Sequence, residues 1–198
     1  MFFIKRNAQR TYFRELRKKL SLSEQKIASI NISIMAFYYE IFSLSKNIAV
    51  FFSFDGEIST NELILKLWKK KYNVFLPIVC QDFNIPLLFA QYYPNTRLKL
   101  NNFNIFEPVI NKEVVLSYKD MDIIFVPLVA FDRFGYRLGM GGGFYDRILN
   151  NWKNKGFFPI GLAYSFQLTN EITPGPWESP LPVILTPNKL WRWNVNIF

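Results

Sequence analysis

Between Gly135 and Gly143 the chain carries five of its nine glycines, in Phe131-Asp132-Arg133-Phe134-Gly135-Tyr136-Arg137-Leu138-Gly139-Met140-Gly141-Gly142-Gly143. The run follows an apolar segment at 123–128 and precedes an amphipathic one that carries Tyr145, Ile148, Leu149 and Trp152 on one face. It therefore reads as a strand-to-helix turn. Glycines at such a turn expose backbone N–H groups, and the helix start adds partial positive charge, a combination that suits a phosphate. Arg137 and Arg147 bracket the run as fixed cations, and Asp146 can hold a magnesium ion. No Gly-Lys-Ser/Thr follows at the Walker spacing, and Phe144 stands where a dinucleotide fingerprint needs its last glycine. The plain alternative is a flexible connection. Glycines, two arginines and an acid concentrated at the carboxyl end of a strand favour a site, because α/β sheets bind ligands at that edge.

Glu57, in Phe54-Asp55-Gly56-Glu57, follows another apolar segment and should open on the same edge, either as surface charge or as a ligand-facing carboxylate. Arg6, Arg10, Arg14 and Lys18 recur every four residues beside an apolar stripe of Phe13, Leu16 and Leu20. Like charges at that spacing repel by a few tenths of a kcal/mol per pair. The row is either a solvated face or a place where an anion relieves the repulsion. Arg6 and Arg10, one turn apart, can reach the same anion, whereas Arg14 and Lys18 point further along the axis. The chain has no histidine, which excludes Ser-His-Asp triads, Cys-His dyads, His-ligated zinc and phosphohistidine relays. With Cys80 as its one cysteine it has neither an internal disulfide nor a thiol-rich metal site. Carboxylates, Lys, Arg, Tyr, backbone amides and a hard metal remain.

The elements that must position these groups fit one domain spanning 1–198. Half of the 198 residues are hydrophobic and 20% are charged, enough for a core and too apolar for disorder. The net charge of +9 points weakly to anionic partners, since the excess is not one contiguous block. No apolar run approaches the ~18 residues of a membrane span, and Met1 leads into Lys5 and Arg6 without a signal-peptide pattern. A cytoplasmic protein without membrane partners is expected. Ser21 and Glu24 form a capping box that starts a helix with Ile27, Ile30, Ile34, Phe37 and Ile41 as its apolar face. Ser59 and Glu62 form a second box before Leu63, Ile64, Leu67 and Trp68. Strands are predicted at 48–52, 74–79, 87–90, 123–128 and 160–164, a loop around Asn101, Asn102 and Asn104, and an irregular wrap from Thr173 through five prolines. Alternating strands and helices predict an α/β fold: a single three-layer domain with a mostly parallel central sheet flanked by helices, Rossmann-like but without the dinucleotide fingerprint.

Val126-Pro127-Leu128-Val129-Ala130-Phe131-Asp132, followed by Gly135-Tyr136-Arg137-Leu138-Gly139-Met140-Gly141-Gly142-Gly143-Phe144-Tyr145-Asp146-Arg147, closely resembles the 5-formyltetrahydrofolate cyclo-ligase family. The likeness runs along nearly the whole chain. Arg6-Asn7-Ala8-Gln9-Arg10 resembles the family's Lys-x-x-Leu-Arg ATP motif, and Phe52-Ser53-Phe54-Asp55-Gly56-Glu57-Ile58 its folate-contacting strand end. Ile160-Gly161-Leu162-Ala163-Tyr164 with Gln167, and Pro176-Trp177-Glu178, resemble its closing segments. Three positions depart from the pattern. Arg6 replaces the usual lysine, with Lys5 adjacent; Gly142 stands where some members carry lysine; Glu178 replaces the more usual aspartate.

The resemblance implies closure of 5-formyltetrahydrofolate to 5,10-methenyltetrahydrofolate, with ATP as co-substrate, magnesium as cofactor, and release of ADP and phosphate. It implies ATP contacts from Lys5, Arg6, Arg10, Arg137, Leu138, Gly139, Met140, Gly141, Gly142, Gly143, Phe144 and Tyr145. Folate contacts are implied from Phe52, Glu57, Phe103 and the stretch Met140 to Phe144. Arg137, Tyr145 and Asp146 would be catalytic, and Asp146 with Glu178 would hold magnesium. The partners would be the folate, with or without a polyglutamate tail, and ATP, bound by a monomer that takes no nucleic acid. Two other readings compete: a folded but slow relic of this enzyme, and a basic RNA-binding module. The second needs aromatics exposed on strands among basic residues, whereas Phe51, Phe75 and Phe125 lie within apolar runs and should be core.

Overall fold

In the computed structural model, residues 2–42, 45–80, 87–110 and 114–193 are described. In chain order these form α1 (Phe2–Lys18), α2 (Leu22–Tyr38), β1 (Asn47–Ala49), α3 (Asn61–Lys69), β2 (Asn73–Val79), β3 (Leu87–Gln91), β4 (Leu98–Leu100), β5 (Phe106–Pro108) and β6 (Val115–Leu116). There follow β7 (Ile123–Pro127), β8 (Ala130–Asp132), β9 (Arg137–Leu138), α4 (Phe144–Leu149), β10 (Phe158–Leu162), β11 (Leu168–Thr169), β12 (Val183–Thr186) and β13 (Lys189–Arg192). An eight-stranded sheet has the order β13-β12-β10-β7-β1-β2-β3-β6. Its five inner strands, β12 to β2, are parallel, and β13, β3 and β6 join antiparallel. The predicted mostly parallel α/β sheet is the observed one.

Parallel strands are buried on both faces and therefore read as continuous apolar runs. β7 shows this: Ile123 and Phe125 enter one core layer with Leu63, Leu67 and Ile32, while Ile124 and Val126 enter the other with Ile148, Leu149 and Trp152. α2 and α3 cover the first face, α4 the second, and α1 lies with Phe13 against Val129, Ala130, Leu138 and Ile172. Phe51, Phe75 and Phe125 are all buried.

Four expectations are corrected. Ile27 and Ile34 are 58% and 52% exposed, and the buried side of α2 is Ala28, Ser29, Ile32, Ser33 and Ala36. Small residues let α2 approach α3 closely enough for Ser33 Oγ to donate to the Glu62 carbonyl at 3.3 Å; only Phe37 and Ile41 of the expected face pack on the core. The Ser21–Glu24 box forms, but the Ser59–Glu62 box does not. Thr60 is the N-cap without a side-chain cap bond, because its hydroxyl donates to the Phe51 carbonyl, and Glu62 pairs with Lys26. The proline-rich tail is not all irregular. β12 sits between Pro182 and Pro187 with all four residues buried and pairs with β10, so the prolines bound a strand without interrupting its ladder.

The last correction concerns the glycine run, which is not one strand-to-helix turn. β8 and β9 form a hairpin after β7. Fully buried Asp132 caps its turn, accepting from the N–H groups of Phe134 and Tyr136 at 2.9 and 3.0 Å and from that of Ile172 at 3.0 Å. Gly135 belongs to this turn, which leaves Gly139 to Gly143 as the loop before α4.

Candidate active site

The strand order reverses between β1 and β7, with β2 on one side and β10 and β12 on the other. Ligands of open α/β sheets bind outside the carboxyl ends of strands at such a switch point. Here a cavity of about 410 Å³ opens at that place, lined by residues that follow β1, end β2 and end β7. The Gly139–Gly143 loop and the start of α4 close it from above.

Gly141 and Gly143 have φ of 106° and 69°, and Gly143 is the N-cap of α4. Side-chain-bearing residues take these angles only with strain. Gly142 has an ordinary φ, but a Cβ there would meet the Phe144 ring at 2.8 Å. A lysine at 142 would need that ring to move, which gives this chain a physical reason for its glycine. α4 is only six residues long, so the loop amides and the nearby cations supply more positive potential than its dipole does.

The cations divide their contacts. Arg137 is almost fully buried, donates from Nη2 to Asp146 Oδ1 at 2.6 Å, and leaves its buried Nε without a partner among the described residues. Arg10 donates to the Gly139 carbonyl at 2.8 Å and to Asn7 Oδ1 at 2.6 Å. Desolvation, then the nearby Arg6, hold its pKa below the usual arginine value. Arg6 is buried and grips Glu178 with both terminal nitrogens, at 2.8 and 2.5 Å, while also donating to the Thr173 carbonyl. Glu178 further accepts from the Gly175 N–H at 2.7 Å. Lys5 is exposed on α1. Leu138 is fully buried beneath α1 and does not line the cavity.

The opposite wall carries Glu57, at the end of a turn closed by the Glu57 N–H to the Phe54 carbonyl at 2.9 Å. Asp55 and Gly56 both have positive φ there. Glu57 is buried, with Phe54 N–H donating to Oε2 at 3.3 Å. Burial pushes its pKa up to about 7 against the pull of Arg17 and the Phe54 N–H, and Asp55 pushes it further the same way. Tyr145 lines the same cavity; burial first, then Glu57, raise its phenol far above the usual value, so it stays protonated. Phe52 packs edge-on to Phe106 at 5.6 Å and Phe103 to Phe144 at 5.4 Å, making two aromatic edges of the slot. Phe103 is held there by Asn101, whose Oδ1 accepts from the N–H groups of Phe103 and Ile105.

All the expected site residues except Lys5, Arg6, Arg10, Leu138 and Glu178 line this cavity, and Arg10 reaches it through the Gly139 carbonyl. Two charged groups were not foreseen. Asp55 takes Arg14 Nε at 2.6 Å and Arg17 Nη2 at 3.0 Å on one oxygen. Burial alone would raise its pKa, but the bond from Arg14 and the charges of both arginines bring it below the usual value. Arg17 is fully buried. Its place was legible in principle, since Phe13, Arg17 and Leu20 share a helical face.

The profile of the 5-formyltetrahydrofolate cyclo-ligase family matches residues 4–187. The 5-formyltetrahydrofolate cyclo-ligase of Haemophilus influenzae is 46% identical over 181 residues, 91% of this chain and 97% of that one. The Escherichia coli enzyme of the same name is 38% identical over 180 residues, 91% and 99% of the two chains. Among solved structures, the 5,10-methenyltetrahydrofolate synthetase of Aquifex aeolicus superposes with a TM-score of 0.78 at 30% identity, covering 94% of this chain and 92% of its own.

Proposed function

The chain belongs to the 5-formyltetrahydrofolate cyclo-ligase family, ATP-dependent ligases that close 5-formyltetrahydrofolate to 5,10-methenyltetrahydrofolate, and from that premise we propose how its cavity divides the work. One observation supports the division above others. A single cavity joins an apolar slot ending in a buried carboxylate to a glycine loop flanked by arginines and an acid. The slot suits a flat heterocycle and the loop suits a polyphosphate.

In this reading Glu57 accepts hydrogen bonds from the amino-pyrimidine edge of the pterin, and Phe52 and Phe103 flank its rings. The stretch Met140 to Phe144 lies between the two substrates. The loop amides and Arg10 hold the triphosphate, with Arg6 braced by Glu178 behind them and Lys5 at the outer end. Arg137 faces the transferring phosphoryl group, and Tyr145 donates from its neutral hydroxyl. The formyl oxygen attacks the γ-phosphorus, ADP leaves, and an imidate phosphate results. N10 then adds to the activated carbon and gives up its proton, and the C–O bond breaks to release phosphate. The steps need placed charge more than a tuned base, which suits a chain without histidine.

The donors fit a magnesium ion shared with phosphate oxygens. Asp146 is a carboxylate in the cavity wall, and among the described residues no group of three acid or cysteine side chains forms a protein cage. Magnesium is commonly held by one or two carboxylates plus substrate phosphates. Asp146 would hold it, and the ion would neutralise charge on the phosphoryl group. Glu178 would serve as a ligand only after releasing Arg6, so its bracing role comes first. We take the enzyme to act as a cytoplasmic monomer on folate and ATP, without nucleic acid. A second cavity continues from the first through Asn101, Phe103 and Phe144 and carries Lys99 and Arg147. That is the side where the glutamate tail, mono- or polyglutamyl, would leave.

Arg10→Ala should raise the ATP KM about tenfold or more, as expected for a charge-assisted hydrogen bond of ~1.5–3 kcal/mol. Lys18→Ala should change it less than about twofold, because Lys18 is half exposed and its ion pair with Glu15 is a surface one. Both should leave the folate KM in place, and the Arg10 effect should largely persist at higher salt, as a direct contact does and a long-range field effect does not. Equal effects of the two variants would mean that the row is only a charged face. The reaction itself is checked by absorbance of the methenyl product with and without ATP. Product with one ADP per turnover is expected, and a full rate without ATP would contradict the assignment.

A further inference from the structure

Arg17 is a fully buried guanidinium with two open donors. Its Nη2 donates to Asp55 Oδ2 at 3.0 Å and lies 3.9 Å from Met140 Sδ, while its buried Nε and Nη1 have no partner among the described residues. Burying a charge whose donors are left open costs several kcal/mol. For packing alone, an apolar side chain would serve better on this face of α1. The surroundings show what the charge is for. Arg17 lies directly under the Phe54-Asp55-Gly56-Glu57 turn, with its Cβ only 3.1 Å from where a Cβ on Gly56 would stand. The turn can pass over Arg17 this closely because Gly56 lacks that atom and takes a φ of 72°. On the far side Met140 belongs to the glycine loop.

Resting on the assignment of Glu57 to the pterin, we infer that Arg17 is a positioning residue for the folate half of the reaction: locked beneath the turn by Asp55, it supplies the buried counter-charge for the Glu57 carboxylate. The other charged and titratable groups facing Glu57 do not offer a substitute. Asp55, on the same turn, repels it; Tyr145 from α4 and Tyr164 after β10 are phenols with raised pKa, the latter at about 12. Arg137 acts on Tyr145 and is bonded to Asp146, and Arg14 is bonded to Asp55. Among the attractions on Glu57, that of Arg17 exceeds the bond from the Phe54 N–H. The Tyr164 hydroxyl is also buried without a hydrogen-bond partner among the described residues; burial raises its pKa, Arg17 lowers it and Glu57 raises it.

The sign of the effect follows. Without Arg17 the Glu57 carboxyl titrates higher than about 7, so binding that needs the carboxylate requires a more alkaline solution. The test is the pH profile of the folate and ATP constants for wild type, Arg17→Met, Arg17→Lys and Glu57→Gln. Arg17→Met should raise the folate KM about tenfold or more at neutral pH, leave the ATP KM within about twofold, and move the acid limb of the folate profile up by about one unit or more. Arg17→Lys, which keeps the charge, should hold the limb near its wild-type position. If Arg17→Met does not fold, Arg17→Met/Asp55→Asn also removes the part-buried carboxylate left without its arginine; because Asp55 raises the Glu57 pKa by less than Arg17 lowers it, the limb should be displaced in the same direction by a smaller amount. An unmoved limb in either neutral variant, or folate and ATP constants that rise together, would overturn the inference and leave Arg17 a structural residue. A Glu57→Gln enzyme with the wild-type folate constant and limb would instead overturn the pterin assignment on which the inference stands.

Discussion

Asp146→Asn is expected to lower turnover at least ~100-fold while the protein still folds. Asp146 faces the cavity and is bonded at 2.6 Å to Arg137, and in the proposed reading Asp146 would hold the metal ion while Arg137 faces the phosphoryl group. Asparagine keeps the shape and loses the charge that attracts a metal ion, and electrostatic stabilisation of this kind is worth several kcal/mol in the transition state. The fold should survive because the carboxylate side chain remains one-fifth exposed. The constants should separate: kcat falls, while the ATP KM holds or drops, since Arg137 is freed from its partner. Magnesium titration at fixed ATP checks this. Near-normal turnover of the variant at limiting magnesium would remove Asp146 from the site.

Glu57→Gln should produce the opposite separation, together with a gain in stability. The folate KM should rise ~10- to 100-fold, because charge-assisted hydrogen bonds of ~1.5–3 kcal/mol each are lost, and the ATP constant should stay in place. Glu57 binds its proton more tightly in the folded chain, at about 7 against 4.5 for an unperturbed carboxyl. The wild-type fold therefore loses stability as pH rises from about 4.5 to about 7, by roughly 3 kcal/mol at ~1.4 kcal/mol per unit. Glutamine has nothing to titrate. The variant should match or trail wild type in acid and exceed it above neutral pH, which thermal melts across that range would show. A variant no more stable at alkaline pH would mean that the carboxylate is better solvated than its burial implies.

Much of the site is written in residue types that only one geometry accepts. Gly141 and Gly143 need positive φ, and Gly142 needs the space beside Phe144; such positions stand out in a sequence. The strands did too, since residues 123–126 are buried on both faces and must all be apolar. Features that depend on neighbours distant in sequence were harder. Ala28, Ser29 and Ser33 face the core of α2 because α3 comes close, and hydrophobicity alone selects the larger isoleucines instead. The hairpin hidden in the glycine run depends on Asp132, whose three N–H donors include one from Ile172, forty residues on. The place of Arg17 on the Phe13–Leu20 face is legible but its role is not: a charged residue there makes sense only once the Asp55–Glu57 turn lies above it.

The central claim, that the formyl oxygen of the folate takes the γ-phosphoryl group in this cavity, is open to an isotope measurement. Substrate labelled with ¹⁸O in the formyl group is turned over with unlabelled ATP in ordinary water, and the released inorganic phosphate is analysed by mass. If the oxygen attacks phosphorus and later leaves with it, each phosphate carries one label for each methenyl product formed. Label appearing in water, with unlabelled phosphate, would contradict the account, because ATP would then be hydrolysed beside the ring closure without activating it.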